Sequence, residues 1–170
     1  MCDGPCREGY YCDVASVLDI ENECGAVDLF CPEGSSVPKY VHRGYYTAGG
    51  NETTRSYQVI CPKGSYCTGG IDYLCPAGTF GSEEGIAGPL NVGYNTEGKG
   101  NFRCSGWCPA GYFCEEGTVE PVECPIGTYS YSGSSACTEC PPRFDGGDDN
   151  YYDSDLLKYT CTDSRECCYR

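Results

Sequence analysis

One short phrase built on cysteine recurs along this chain and constrains its fold more than any other feature. Cys6-Arg-Glu-Gly-Tyr-Tyr-Cys12, Cys61-Pro-Lys-Gly-Ser-Tyr-Cys67 and Cys108-Pro-Ala-Gly-Tyr-Phe-Cys114 share the form C-x-x-G-x-aromatic-C. Cys31-Pro-Glu-Gly-Ser35, Cys75-Pro-Ala-Gly-Thr-Phe80 and Cys124-Pro-Ile-Gly-Thr-Tyr129 follow them as C-P-x-G-[ST]. Proline after the cysteine restricts φ and glycine two positions later accepts a positive φ, so the phrase encodes a turn held at one end by a cross-link. The aromatic that follows is expected to cover the sulfur, serving as a miniature core.

The cysteines have two possible uses. Seventeen of 170 residues are cysteine, a density typical of scaffolds in which oxidised cross-links replace an apolar core. Structural zinc would need paired C-x2-C knuckles, usually with histidines. Only Cys137 and Cys140 have that spacing, and the one histidine, His42, is far from them in sequence. Disulfides and an oxidising compartment are therefore expected, with no cofactor. Glycine (24) and proline (11) are frequent and aliphatic residues few, so order must be local. A net charge of −14 offers no basic stripe for nucleic acid or for anionic membranes. No apolar run is long enough for membrane insertion as a spanning helix. Met1-Cys2-Asp3 enters the cysteine framework without a charged and apolar leader, so the reading expects a mature piece, or a window of a longer chain.

The repeats divide the chain into a first cysteine-rich repeat (1–31), a hairpin-like connection (32–60), a second repeat with a glycine-rich insertion (61–103), a third repeat (104–136) and a partial fourth with an acidic tail (137–170). In the connection, aromatic and β-branched residues flank Gly49-Gly50-Asn51, which predicts a hairpin. Val14, Val17 and Leu18 suggest at most one helical turn. The expected fold is small and disulfide-rich: an elongated array of short β-hairpins and irregular cysteine-rich repeats with little helix.

Gly44-Tyr-Tyr-Thr-Ala-Gly-Gly50, Cys61-Pro-Lys-Gly-Ser-Tyr-Cys67, Cys75-Pro-Ala-Gly-Thr-Phe-Gly81, Cys104-Ser-Gly-Trp-Cys-Pro-Ala-Gly-Tyr-Phe-Cys114 and Cys124-Pro-Ile-Gly-Thr-Tyr-Ser130 together resemble the ephrin-receptor-like, or growth-factor-receptor-like, cysteine-rich repeats of large protist and algal surface proteins. The likeness covers residues 31–141. It implies an extracellular module for spacing, adhesion or assembly, with no chemistry of its own. The insertion at 81–103, the additional Cys24 and the tail carrying Cys161, Cys167 and Cys168 depart from that pattern. If each C-P-x-G-[ST] cysteine closes onto the cysteine opening the next unit, the pairs are Cys75–Cys104 and Cys124–Cys137. In-unit pairs Cys6–Cys12, Cys61–Cys67 and Cys108–Cys114 remain, with Cys24–Cys31 closing the inserted loop. An interleaved arrangement, Cys61–Cys75 with Cys67–Cys104, is the alternative.

Catalysis has little to work with. His42 lies in a tyrosine-rich segment with no G-x-S-x-G elbow, and a carboxylate pair would need a deep cleft in a larger scaffold. The chain is read as no enzyme. Asp145, Asp148, Asp149, Asp153 and Asp155 form a weak calcium candidate, though the spacing is not that of an EF-hand and a solvated acidic loop competes. Asn51-Glu52-Thr53 is a glycosylation sequon. Seventeen is odd, so at least one cysteine lacks a partner within one copy. Cys2, Cys167 and Cys168 are the intermolecular candidates, because Cys2 has no unit before it and adjacent cysteines rarely bond to each other. The expected function is a structural subunit or spacer of an extracellular fibre, appendage or giant cell-surface protein, assembling end to end. Its partners would be copies of itself or the remainder of a longer surface protein. The alternative is a ligand-binding ectodomain module of a cell-surface receptor, and a secreted hydrolase is remote.

Overall fold

The computed structural model describes residues 4–88 and 104–140. Within them the chain is a small disulfide-rich series of short antiparallel β-hairpins, and no helix occurs among the described residues. Seven two-stranded sheets follow one another in chain order. β1 (Tyr10–Tyr11) pairs with β2 (Asn22–Glu23), and β3 (Leu29–Phe30) with β4 (Lys39–Tyr40). β5 (Tyr45–Ala48) pairs with β6 (Tyr57–Ile60), and β7 (Ser65–Thr68) with β8 (Ile71–Leu74). β9 (Thr79–Phe80) pairs with β10 (Gly106–Trp107), β11 (Tyr112–Phe113) with β12 (Val122–Glu123), and β13 (Thr128–Tyr129) with β14 (Thr138–Glu139).

The signature turns launch the strands. In Pro62-Lys63-Gly64-Ser65 the amide of Ser65 donates to the carbonyl of Pro62 at 3.2 Å, and Gly64 has φ 78°, the pattern of a type II turn. The same bond joins Thr79 to Pro76 (3.0 Å), Tyr112 to Pro109 (3.1 Å) and Thr128 to Pro125 (3.1 Å). The hydroxyl of the [ST] position reinforces it. Thr79 Oγ1 donates to the Pro76 carbonyl at 2.7 Å and Thr128 Oγ1 to that of Pro125 at 2.6 Å, which explains why a short hydroxyl side chain stands there.

The hairpin expected around residues 49–51 is present as β5 and β6, in the register Tyr45↔Ile60 to Ala48↔Tyr57. The helical turn suggested by Val14, Val17 and Leu18 is not. Asp13 Oδ1 accepts from the amide of Ala15 at 2.9 Å and Glu21 Oε2 from that of Val17 at 2.7 Å. These carboxylates take the amides that a helix would direct at its own carbonyls.

The core is also not what the tyrosine content suggests. Of the nine buried apolar residues among those described, eight are half-cystines and the ninth is Phe30. The rings of Tyr10, Tyr66, Phe113 and Tyr129 are only half-buried. Every buried polar residue among those described is a serine or threonine, and several direct their hydroxyls at backbone carbonyls. Ser130 Oγ reaches Tyr112 O at 2.6 Å, and Thr47 Oγ1 donates to the carbonyls of Gly70 and Val27. Sulfur and satisfied hydroxyls thus fill an interior too small for large side chains.

Candidate functional site

Among the described residues, backbone contacts between successive hairpins recur. The chain forms two contact units, Met1–Tyr73 with Glu84–Phe102, and Leu74–Glu83 with Arg103–Arg170. In the first, the loop between β3 and β4 returns to the first hairpin, where Gly34 N donates to Cys6 O at 2.7 Å and Ser35 O accepts from Cys12 N at 3.0 Å. The loop between β5 and β6 returns to the second, with Gly25 N donating to Thr53 O and Cys31 N to Arg55 O, both at 2.9 Å. The turn between β7 and β8 accepts from Thr47 N through Gly70 O at 2.9 Å. Gly85 N donates to Cys61 O at 2.8 Å, and Ile86 O accepts from Cys67 N at 2.9 Å.

The second unit repeats the arrangement. Gly117 N donates to Cys75 O and Gly81 N to Thr118 O, each at 2.9 Å. Gly133 N donates to Cys108 O at 2.8 Å, and Cys114 N to Ser134 O at 3.1 Å. Around Cys6–Cys12, Cys61–Cys67, Cys75–Gly81 and Cys108–Cys114 a backbone amide and a carbonyl are satisfied by the loop of the following hairpin, while Gly25, Cys31 and Thr47 contribute amides alone. Such a pattern makes order propagate between nearest neighbours.

The structure joins Cys6 to Cys12, Cys24 to Cys31, Cys61 to Cys67, Cys75 to Cys104, Cys108 to Cys114 and Cys124 to Cys137. Their Cα separations of 5.7–5.9 Å are those of ordinary disulfides. Cys140 is disulfide-bonded too, a residue the sequence reading left out of the bonded set. Two signals mark it. Pro141 follows it as in the other signatures, and its amide donates to Gly127 O at 2.9 Å, as Cys124 N does to Gly111 O. Cys2, Cys161, Cys167, Cys168 and the aspartates Asp145, Asp148, Asp149, Asp153 and Asp155 lie outside the described residues.

His42 is exposed, its Nδ1 accepting from Gln58 Nε2 at 2.6 Å while its amide donates to Gln58 Oε1 at 2.9 Å. It braces the start of the β5–β6 hairpin. Among the described residues no three His, Cys, Asp or Glu side chains gather as a metal site. Asn51 is exposed at the loop between β5 and β6. One pair of rings has an electrostatic consequence: Tyr66 and Tyr73 stack at 5.4 Å, and burial, with the Tyr73 phenol beside it, raises the Tyr66 pKa above its ordinary 10.0.

Missed by sequence reasoning is an exposed apolar loop. Val14, Val17, Leu18 and Ile20 all face solvent in the loop between β1 and β2. The loop is nonetheless fixed. Ser16 Oγ accepts from Asp13 N at 3.0 Å, and Arg7 donates its amide to Asp19 O at 3.0 Å and pairs with the Asp19 carboxylate at 3.5 Å.

The density of disulfides points to an oxidising compartment. Among the described residues no helix is long and apolar enough to cross a membrane. Compared with known proteins, the chain matches no protein-family model and no curated protein.

Proposed function

We propose that this chain is a structural or spacer segment of an extracellular fibre, appendage or large cell-surface protein, without catalytic activity. The observation that carries this reading is the returning loop: among the described residues, each hairpin from β1–β2 to β11–β12 bonds through its backbone to the loop of the next. A chain built this way can be lengthened by repetition and needs no central core, which suits a spacer. The disulfides are consistent with the extracellular setting. Linkage between copies draws on the odd number of cysteines, with Cys2, Cys167 and Cys168 as the candidates for bonds between chains. A head-to-tail contact of that kind is heterologous and grows open filaments unless its rotation closes a ring.

The test is the mass distribution of native protein under non-reducing conditions, with electron microscopy of the same sample. Covalent multiples and filaments that reductant disperses are expected. A monomer at all concentrations, with Cys2 titrating as a free thiol, overturns the assembly reading.

A ligand-binding ectodomain is the second reading, and the loop of Val14, Val17, Leu18 and Ile20 favours it. Exposed aliphatic side chains on a braced loop are costly to display and are often covered by a partner. Loss of binding to an identified surface ligand in a Val17→Asp, Leu18→Asp double variant, with assembly unchanged, would decide for it.

A further inference from the structure

We infer that Asn51 is a carbohydrate attachment site, taking one N-linked oligosaccharide on Nδ2. Asn51-Glu52-Thr53 is the single N-x-[ST] sequence of the chain, and its middle residue is not proline. A sequon alone says only that the residue types are right. The loop geometry adds three independent observations.

The first is the placement of the hydroxyl. Thr53 Oγ1 donates to Asn51 Oδ1 at 2.9 Å, so the two side chains that define the sequon are in contact. The contact spans two residues and needs nothing distant, so it can form in a nascent chain before the disulfides close.

The second is the orientation of the carboxamide. Asn51 Oδ1 also accepts from the amides of Thr53 (2.9 Å) and Thr54 (3.0 Å) and from Thr54 Oγ1 (3.0 Å). Backbone N–H groups only donate, so the atom they meet must be oxygen and the amide cannot be flipped. Nδ2 takes part in none of these bonds.

The third is exposure on a fixed support. Asn51, Glu52 and Thr53 are all exposed. The backbone beyond them is held, with Thr53 O accepting from Gly25 N and Arg55 O from Cys31 N, each at 2.9 Å. Oligosaccharide on Nδ2 projects into solvent and breaks none of these bonds.

The reaction is a substitution without redox change. Nδ2 forms a bond to the anomeric carbon of a polyisoprenyl-pyrophosphate-linked oligosaccharide, the bond from that carbon to the phosphate oxygen breaks, and the lipid pyrophosphate leaves. One Nδ2 proton passes to a base of the transferring enzyme. The disulfides place the chain in the oxidising route where such donors are met.

The experiment uses the full chain secreted from a eukaryotic host, with intact mass and glycopeptide mapping before and after peptide-N-glycosidase. The expected result is loss of one oligosaccharide with Asn51 converted to Asp. Thr53→Ala and Asn51→Gln should abolish attachment, and Thr53→Ser should retain it. Wild-type protein secreted with its disulfides formed but with bare Asn51 overturns the proposal, as does full attachment in Thr53→Ala. Mapping of the wild-type peptide decides the matter even where a variant is not secreted. Bare Asn51 would leave the spacer reading untouched, since that reading rests on the hairpin contacts.

Discussion

A β-carbon placed on Gly78 would lie 2.2 Å from the carbonyl oxygen of Gly133. Gly78 opens the β9–β10 hairpin and Gly133 lies in the loop between β13 and β14, so a turn glycine touches the loop two hairpins further on. The same closeness brings Gly44 against Gly85 in the other contact unit.

Gly78→Ala should therefore cost more than the backbone penalty alone. Gly127 has nearly the same conformation, φ 84° against 86°, but nothing lies within 4 Å of its added carbon. Gly127→Ala should lose about 1–2 kcal/mol from the left-handed backbone, and Gly78→Ala at least that much again from displacing the loop. Denaturant unfolding of the two variants side by side measures the difference, and equal losses would remove Gly133 from the account.

Removing cross-links should rank by the length of chain they close. Cys75–Cys104 spans 29 residues and Cys61–Cys67 spans 6. Loop entropy makes the longer one worth about 1 kcal/mol more, on a base of about 2–4 kcal/mol each. Double alanine variants compared by unfolding midpoint should show that order.

One hairpin has the frame of a cross-link without its sulfur. Val41 N donates to Asp28 O at 2.9 Å as Cys61 N does to Gly44 O, and Thr47 N bonds to Gly70 O as Cys67 N bonds to Ile86 O. Val41 and Thr47 have the same sequence spacing as Cys61 and Cys67. The Val41→Cys, Thr47→Cys double variant should oxidise spontaneously, adding no free thiol and stabilising the fold by about 1–2 kcal/mol after loss of the Thr47 hydroxyl bonds. Thiol titration with non-reduced mass is the check, and two persistent additional thiols would contradict it.

Stability should fall at alkaline pH through Tyr66. Its phenol is held neutral by burial and by Tyr73, so its folded pKa lies above the ordinary 10.0. The unfolded chain then loses that proton more readily than the folded one, and the contribution, complete below about pH 10, is lost as pH rises from there through the folded value. Tyr66→Phe should flatten this decline, as measured by unfolding midpoints over a series of alkaline pH values.

What could be read from the residues was local. The C-P-x-G turns and the β5–β6 hairpin depend on neighbours in sequence, and Gly64 or Thr79 declares its role by type. The β3–β4 hairpin was hidden because Cys31-Pro-Glu-Gly-Ser35 sits in its loop, whereas the same phrase at Cys75 precedes a strand. After Ser35 the chain runs to Val37-Pro38 instead of an aromatic, and proline cannot serve an inner strand. The returning loops were hidden for another reason. Gly34 bonds to Cys6 and Gly85 to Cys61 through backbone groups alone, which every residue carries and no sequence pattern marks. The fixed apolar loop escaped because Asp13 and Glu21 act on amides nearby, while their letters read as solvated charge.

The direction of the returning loops has a consequence for the chain as it is synthesised. Cys6 O and Cys12 N take their backbone partners from Gly34 and Ser35, residues made later, whereas Cys108 and Cys114 bond both to the earlier Gly78 and to the later Gly133 and Ser134. The first cross-link therefore lacks the backbone bonds that hold its two ends until the next loop has been made. For the first cross-link the consequence is an order of maturation: chains released with their end before residue 34 should hold Cys6–Cys12 in a state that dithiothreitol reduces readily, while chains that run well beyond it should resist reduction.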